Sequence, residues 1–313
     1  MDQSRTVGLL TGIALGDSLG LPMEGLSATR APRLYPPPLR QRMAFGWGIL
    51  SDDTLMAVAT IQALFREPDD PDRFAMEVGR RLRNWFWTLP PGIGLATLKS
   101  CLKLTVGIPA TRSGVASAGN GPAVRAIVLG CCLADDSQRR VGLIEASTCV
   151  THTHPLAVSG SQIVGLAATL AVSGKVDRFD AEAAIVAPTW PRSDRWPSSG
   201  PTGYMVHTVN AAIECWRSHP HDMESALRMA VALGGDSDSV AALVGGLVGA
   251  SPQASSAPQE WLRWMGWPGA REIVEIASGG RTNLPMFRLL TQHALTLALI
   301  PSHVLRRALP PYC

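Results

Sequence analysis

The sequence has no CxxC pair, no run of Lys and Arg, no convincing alternating strand pattern and no internal repeat. Each absence removes a class of function. The cysteines at 101, 131, 132, 149, 215 and 313 are scattered along the chain. They read as small buried apolar residues in a reducing compartment, and zinc held by Cys is not expected. The net charge of +3 over 313 residues is small. Without a basic block it gives no footing for nucleic acid or a membrane surface. Lys is scarce beside Arg, and nothing in the sequence explains this. No apolar run is read as long enough to span a bilayer; "LLTQHALTLALI" is short and carries Gln292 and His293. The start imitates a signal-peptide core over 7–15, but Thr11 interrupts it and Asp17 and Glu24 follow at once. The expectation is a cytoplasmic monomer without a membrane partner.

What is present is helical periodicity. Spacing predicts helices over 54–65, 72–87, 121–134, 156–174, 204–218, 223–234 and 239–250, with Gly174, Gly234 and Pro252 as stops. Two long segments interrupt this pattern. Residues 28–48 hold Pro32 and Pro36 to Pro38, which block regular helix, and 187–203 hold two tryptophans. Loops of this length in a helical protein often wall a site. The predicted fold is all-α: a compact, single-domain orthogonal helical bundle over 1–313, with a core of about 5–277 and a helical extension over 278–313.

Two helix starts carry paired acids. In "SDDT", Ser51 suits an N-cap, with Asp52 and Asp53 in the first turn. Either start alone is explained by complementing the helix dipole. The second, "GGDSDSVAALVGGLVGA", repeats the design with Asp236, Asp238 and Ser239 ahead of a helix of small apolar residues. Gly245 and Gly249 there signal close helix packing. Buried carboxylates need a partner, and all these groups are oxygen donors. Oxygen sets select Mg²⁺, Mn²⁺ or Ca²⁺ over zinc or copper, and four carboxylates suit a pair of divalent ions. A third acidic element, "GDSLGLPMEG", holds Asp17, read as a helix brace, and Glu24, which Pro22 turns away from the helix axis. "ASAGNGPAVR" is Gly-rich before a helix, which can present N–H groups to phosphate. "THTHP" offers His152 and His154, each read alone as a core or capping histidine. Tyr204 is one of three tyrosines.

Together, "GIALGDSLGLPMEG", "SDDTLMAVA", "GNGPAVR", "THTHP", "GYMVHTVNAAI" and "GGDSDSVAALVGGLVGA" resemble the ADP-ribosylglycohydrolase family, dinitrogenase reductase-activating type. The resemblance runs from about residue 8 to 250, with a weaker continuation to about 277. It implies an all-α domain with a binuclear Mg²⁺ or Mn²⁺ cleft. By motif, it implies Ser51, Asp52, Asp53, Asp236, Asp238 and Ser239 as metal ligands, with Glu24, Asp52, Asp53 and Asp238 in catalysis. It implies Gly119, Asn120, Gly121, His152 and Tyr204 on the substrate. Ser239 stands where the family usually has Thr, and Val124 where Met is common. The implied partners are an ADP-ribosylated protein as substrate and ADP-ribose as product. Arginine linkage is preferred; serine, O-acetyl and nucleic-acid linkages remain open. A catalytically silent ADP-ribose-binding relative and an unrelated metal-dependent phosphohydrolase are the competing readings.

Overall fold

In a computed structural model of the chain, residues 2–192, 195–281 and 283–308 are described. The last five positions of the expected extension, Cys313 among them, lie outside these residues. Among the described residues the fold is all-α, without a sheet and with only isolated β-bridges. The order is α1 (Gln3–Gly20), α2 (Ala31–Leu34), α3 (Asp52–Arg66), α4 (Pro71–Phe86), α5 (Leu95–Thr105) and α6 (Ala110–Ser113). Then come α7 (Ala123–Cys132), α8 (Ser137–Cys149), α9 (Pro155–Ser173), α10 (Phe179–Val186) and α11 (Met205–Ser218). The last are α12 (Met223–Ala232), α13 (Ser237–Ala250), α14 (Gln259–Arg263), α15 (Ala270–Ala277) and α16 (Met286–Ala308).

Local chemistry sets many of these boundaries. Asp2, Asp70, Asp136 and Asp222 each begin a helix by accepting a hydrogen bond from the backbone N–H three residues on. Gly174 ends α9 in the left-handed conformation, at φ 65°. Two expectations need adjustment. The 28–48 segment does contain a helix, the single turn α2, because Pro32 sits in its first turn where a missing N–H costs nothing. The helix expected from 121 starts at Ala123, since Asn120 and Gly121 belong to the loop before it.

A third expectation is corrected. Residues Gln3–Met23 and Pro155–Ser173 are long and apolar enough to cross a bilayer, with mean hydropathies of 1.2 and 1.6. Their apolar surface has another destination, for 78% and 67% of each is buried inside the protein. Burial of this kind is the dominant favourable term in folding.

At the centre, α1 and α13 run antiparallel with their backbones in contact. A Cβ built on Gly12 would stand 1.9 Å from the Gly245 carbonyl oxygen, and one on Gly8 2.2 Å from that of Gly249. Gly16 meets Ala241, and Gly20 meets the backbone of Ser237 and Asp238. The Ser237 hydroxyl closes the seam by donating to the Gly20 carbonyl at 3.0 Å. The stripe on α13 was expected from Gly245 and Gly249; its partner, Gly8, Gly12, Gly16 and Gly20, is revealed by the fold. Because the opposing atoms are backbone, neither helix can yield to an added methyl without moving as a whole. Gly12→Ala is therefore expected to lower stability by about 3 kcal/mol in urea unfolding. Gly94→Ala, where a Cβ meets nothing within 4 Å, is expected to leave it nearly unchanged.

Candidate active site

The seam brings two acidic helix starts to one end of α1. Gly20 abuts the backbone at Asp238, so the first turn of α13 is fixed against the end of α1. Three residues earlier, buried Asp17 reaches the other start. Its carboxylate accepts from Ser51 N–H at 2.9 Å, Thr54 N–H at 3.2 Å and the Thr54 hydroxyl at 2.5 Å. Asp17 thus braces α3, as read from the sequence, while the Ser51 hydroxyl caps it by accepting from Asp53 N–H at 3.2 Å. Ahead of α13, Gly234 and Gly235 take φ of 70° and 65°, a region L side chains rarely enter. A Cβ on Gly235 would lie 2.0 Å from the Pro201 carbonyl oxygen. The Gly pair is what lets Asp236 approach the 201–203 loop, where its N–H donates to Pro201 at 2.7 Å.

The result is a cleft of about 530 Å³. Glu24, Asp52, Asp53, Asp236, Asp238 and Ser239 line one side, and Gly119, Asn120, Gly121 and His152 face it. The two starts are tied together by Ser239, whose hydroxyl donates to Asp53 Oδ2 at 2.8 Å. Asn120 Nδ2 donates to Asp236 Oδ2 at 2.5 Å and to the Thr208 hydroxyl at 2.9 Å. Ser51 does not line this cleft; it lines an adjoining cavity with Glu24, Asp52 and Asp238. Tyr204 also lies outside the lining. Its backbone bridges Gly119, and its ring packs edge-on against His207 at 5.1 Å. Thr97, Ser117, Thr202 and the Gly92–Gly94 turn line the cleft without having been singled out in the sequence. The Pro90-Pro91-Gly92 run is the one local signal that marks that turn as a loop.

His152 is 3% exposed, and burial pushes its pKa down to about 3, with the Arg125 charge adding to the effect. Arg125 is itself buried and donates to the Gly121 carbonyl, to Ser147 and, at 2.6 Å, to the Thr151 hydroxyl. That hydroxyl lies 2.8 Å from His152 Nδ1 and 3.5 Å from the Thr148 carbonyl oxygen. A neutral imidazole that accepts this hydroxyl's proton at Nδ1 carries its own on Nε2. Nε2 is the atom a Cβ on Gly119 would meet at 3.0 Å.

Burial and mutual repulsion oppose ionisation of these carboxyl groups. Burial raises Asp17 to about 6; burial, with repulsion from Asp17, Glu24 and Asp236, raises Asp52 to about 7. Asp53 and Asp238 rise well above the usual carboxylate range, first by burial and then by the surrounding negative charge. Asp236 rises by burial, and its hydrogen bonds oppose this. Asp238 Oδ1 is buried with no hydrogen-bond partner. Glu24, Asp236 and Asp238 bring ligand oxygens within 4.8 Å of one another. An orphaned carboxylate oxygen in an all-oxygen cluster fits a hard divalent cation.

A family model described as ADP-ribosylglycohydrolase matches residues 1–286. An ADP-ribosylarginine hydrolase of Pseudomonas putida is 28% identical over 294 residues, covering 84% of this chain and 74% of its own. The ADP-ribosyl-dinitrogen reductase glycohydrolase of Rhodospirillum rubrum is 24% identical over 283 residues, covering 86% of this chain and 92% of its own. A solved structure titled ADP-ribosylglycohydrolase-related protein complex superposes with a TM-score of 0.68 at 25% identity, over 92% of this chain and 98% of that one.

The raised carboxyls set a pH dependence. Asp17 and Asp52 hold protons to about 6 and 7 in the fold, against 3.8 in their ordinary state. Their contribution to stability is therefore full below about pH 4 and is lost as pH rises through 6 and 7. In chelator, these charges then repel unopposed. The stabilisation on replacing chelator by excess Mg²⁺, read from the rise in Tm, is expected to grow from pH 5 to pH 8, reaching about 3 kcal/mol at a hundredfold excess over Kd. A gain that is flat with pH, or absent, removes the cation from this site.

Proposed function

Because the chain belongs to the ADP-ribosylglycohydrolase family, we propose that its acidic cleft hydrolyses ADP-ribose from modified arginine side chains of proteins, with two Mg²⁺ or Mn²⁺ ions. The orphaned Asp238 Oδ1 within the acidic cluster carries the metal reading. The likeness to an ADP-ribosylarginine hydrolase supports the linkage. Asp52, Asp53, Asp236 and Asp238 would hold the ions with Glu24, and Ser51 and Ser239 act on the carboxylates as cap and tie. Bound there, divalent ions supply positive charge for ribose hydroxyls and acidity to a water.

The chain's own groups do the rest. Gly119 and Gly121 leave room for a diphosphate to approach the backbone, and His152 Nε2–H donates to a ligand oxygen. The C1″–nitrogen bond breaks as positive charge builds on C1″ and the ring oxygen. The carboxylates along the cleft oppose that charge. Water oxygen bonds to C1″, one water proton passes to a carboxylate among Glu24, Asp52 and Asp53, and the released guanidine regains a proton. Tyr204 lies at the edge, and its contribution is to hold Gly119 through the backbone.

The test is release of ADP-ribose from arginine-, serine- and nucleic-acid-linked substrates assayed in parallel with Mg²⁺ and Mn²⁺. Arginine-linked substrate is expected to be cleaved, with kcat/KM down about a thousandfold in Asp238→Ala and in Asp52→Ala. Preferential cleavage of another linkage reassigns the substrate. Binding of ADP-ribose without release from any of them marks a binding protein, and phosphate release marks a phosphohydrolase.

His152 supplies a second check. The ¹⁵N spectrum of its ring is expected to show the neutral Nε2–H tautomer throughout pH 5 to 8. Thr151→Val is expected to weaken ADP-ribose binding by about tenfold, and Thr151→Ser to restore it.

A further inference from the structure

The carboxylates do not border one cavity but stand between two. Beyond Glu24, Asp52, Gly92 and Asp238, which it shares with the main cleft, lies a smaller cavity of about 190 Å³. The two differ in character. The main cleft is walled by Gly, Asn, Ser, Thr and His; the smaller one is walled by Ile49, Leu50, Trp85, Pro90 and Pro91. A further wall is α16, which contributes His293, Thr296, Ile300, His303 and Val304, and Leu21, Met43 and Ser51 complete the lining.

This helix begins at Met286, the residue at which the family match ends, and it is fastened to the site. Gln292 Nε2 donates to the Leu50 carbonyl at 2.7 Å, immediately before the Ser51 cap. His293 Nδ1 lies 2.8 Å from the Thr88 carbonyl oxygen and 3.0 Å from its hydroxyl. Tyr35 OH meets His303 Nδ1 at 3.4 Å. The first tether holds α16 against the loop that presents Asp52, and the other two hold it to the segments after α4 and α2.

A glycosidic bond under hydrolysis has a sugar on one side and a leaving group on the other, with the reacting carbon at the carboxylates. The polar cleft suits the sugar and diphosphate. The apolar cavity suits an alkyl stem, with Glu24, Asp52 and Asp238 at its inner end for a cationic head. We infer that the cavity walled by α16 is the leaving-group subsite, and that it admits one arginyl side chain. The subsite rests on the hydrolytic reading above, and α16 is its specificity-determining wall.

Two readouts separate the subsite from that reading. The first is calorimetric titration of agmatine into protein saturated with ADP-ribose and Mg²⁺. Wild type is expected to bind, Ile300→Trp to lose binding by filling the cavity, and Leu297→Trp to retain it. Leu297 is 47% exposed, close to the 42% of Ile300 at the cavity rim, but does not line the cavity. The second is hydrolysis of ADP-ribosyl conjugates of guanidine, agmatine and an arginine peptide. Ile300→Trp is expected to lower kcat/KM for the peptide by about tenfold or more, to spare the guanidine conjugate, and to leave ADP-ribose affinity unchanged. No agmatine binding, equal binding by wild type and Ile300→Trp, or equal loss in Leu297→Trp each overturns the subsite. Wild type that binds agmatine yet cleaves no conjugate keeps the cavity as an arginyl-binding pocket and overturns both the hydrolase and the leaving-group role.

Discussion

The site depends on one contact, the antiparallel seam in which α1 and α13 touch backbone to backbone. Every other feature of the acidic cluster is referred to it. At its end Gly20 meets the backbone at Asp238, and Asp17 on the same helix takes three hydrogen bonds from the start of α3. One helix therefore sets the positions of both acidic starts. Side-chain packing alone holds helices 8–10 Å apart with some latitude; backbone contact removes that latitude.

This rigidity answers an electrostatic problem. Asp52, Asp53, Asp236 and Asp238 are buried close together, and burial and mutual repulsion oppose their ionisation. Left to relax, they would move apart toward water. The seam, the Ser239 tie and the Asn120 bond hold them converged. The protein so keeps these acidic groups together in a cleft that opposes their ionisation.

How much of this the sequence reveals follows from the range of each interaction. The acidic starts are legible because capping acts within three residues, so Ser51, Asp53 and Asp238 fall where spacing places them. Asp17 is legible as a brace, but its partners Ser51 and Thr54 lie 34 and 37 residues away, and nothing local names them. Half of the glycine stripe is legible in Gly245 and Gly249; the other half acquires meaning only once α1 is known to lie against it. Helices such as α8 escape notice because few of their residues are buried on a clean face. The wall made by α16 depends on Gln292 reaching Leu50, 242 residues away, and nothing local announces it. Tyr204 shows the converse: a motif places it near the site, but its ring turns to His207.

The seam has a mechanical side as well. Hydrostatic pressure acts on a protein by eliminating internal voids, and its effect scales with the empty volume available. Between Gly12 and Gly245 there is no room even for a methyl group. That interface has almost nothing to compress, whereas the clefts it supports are open to water and fill freely. The spacing between the two acidic starts is in this sense set by atomic radii, a standard of length that does not change with depth or load.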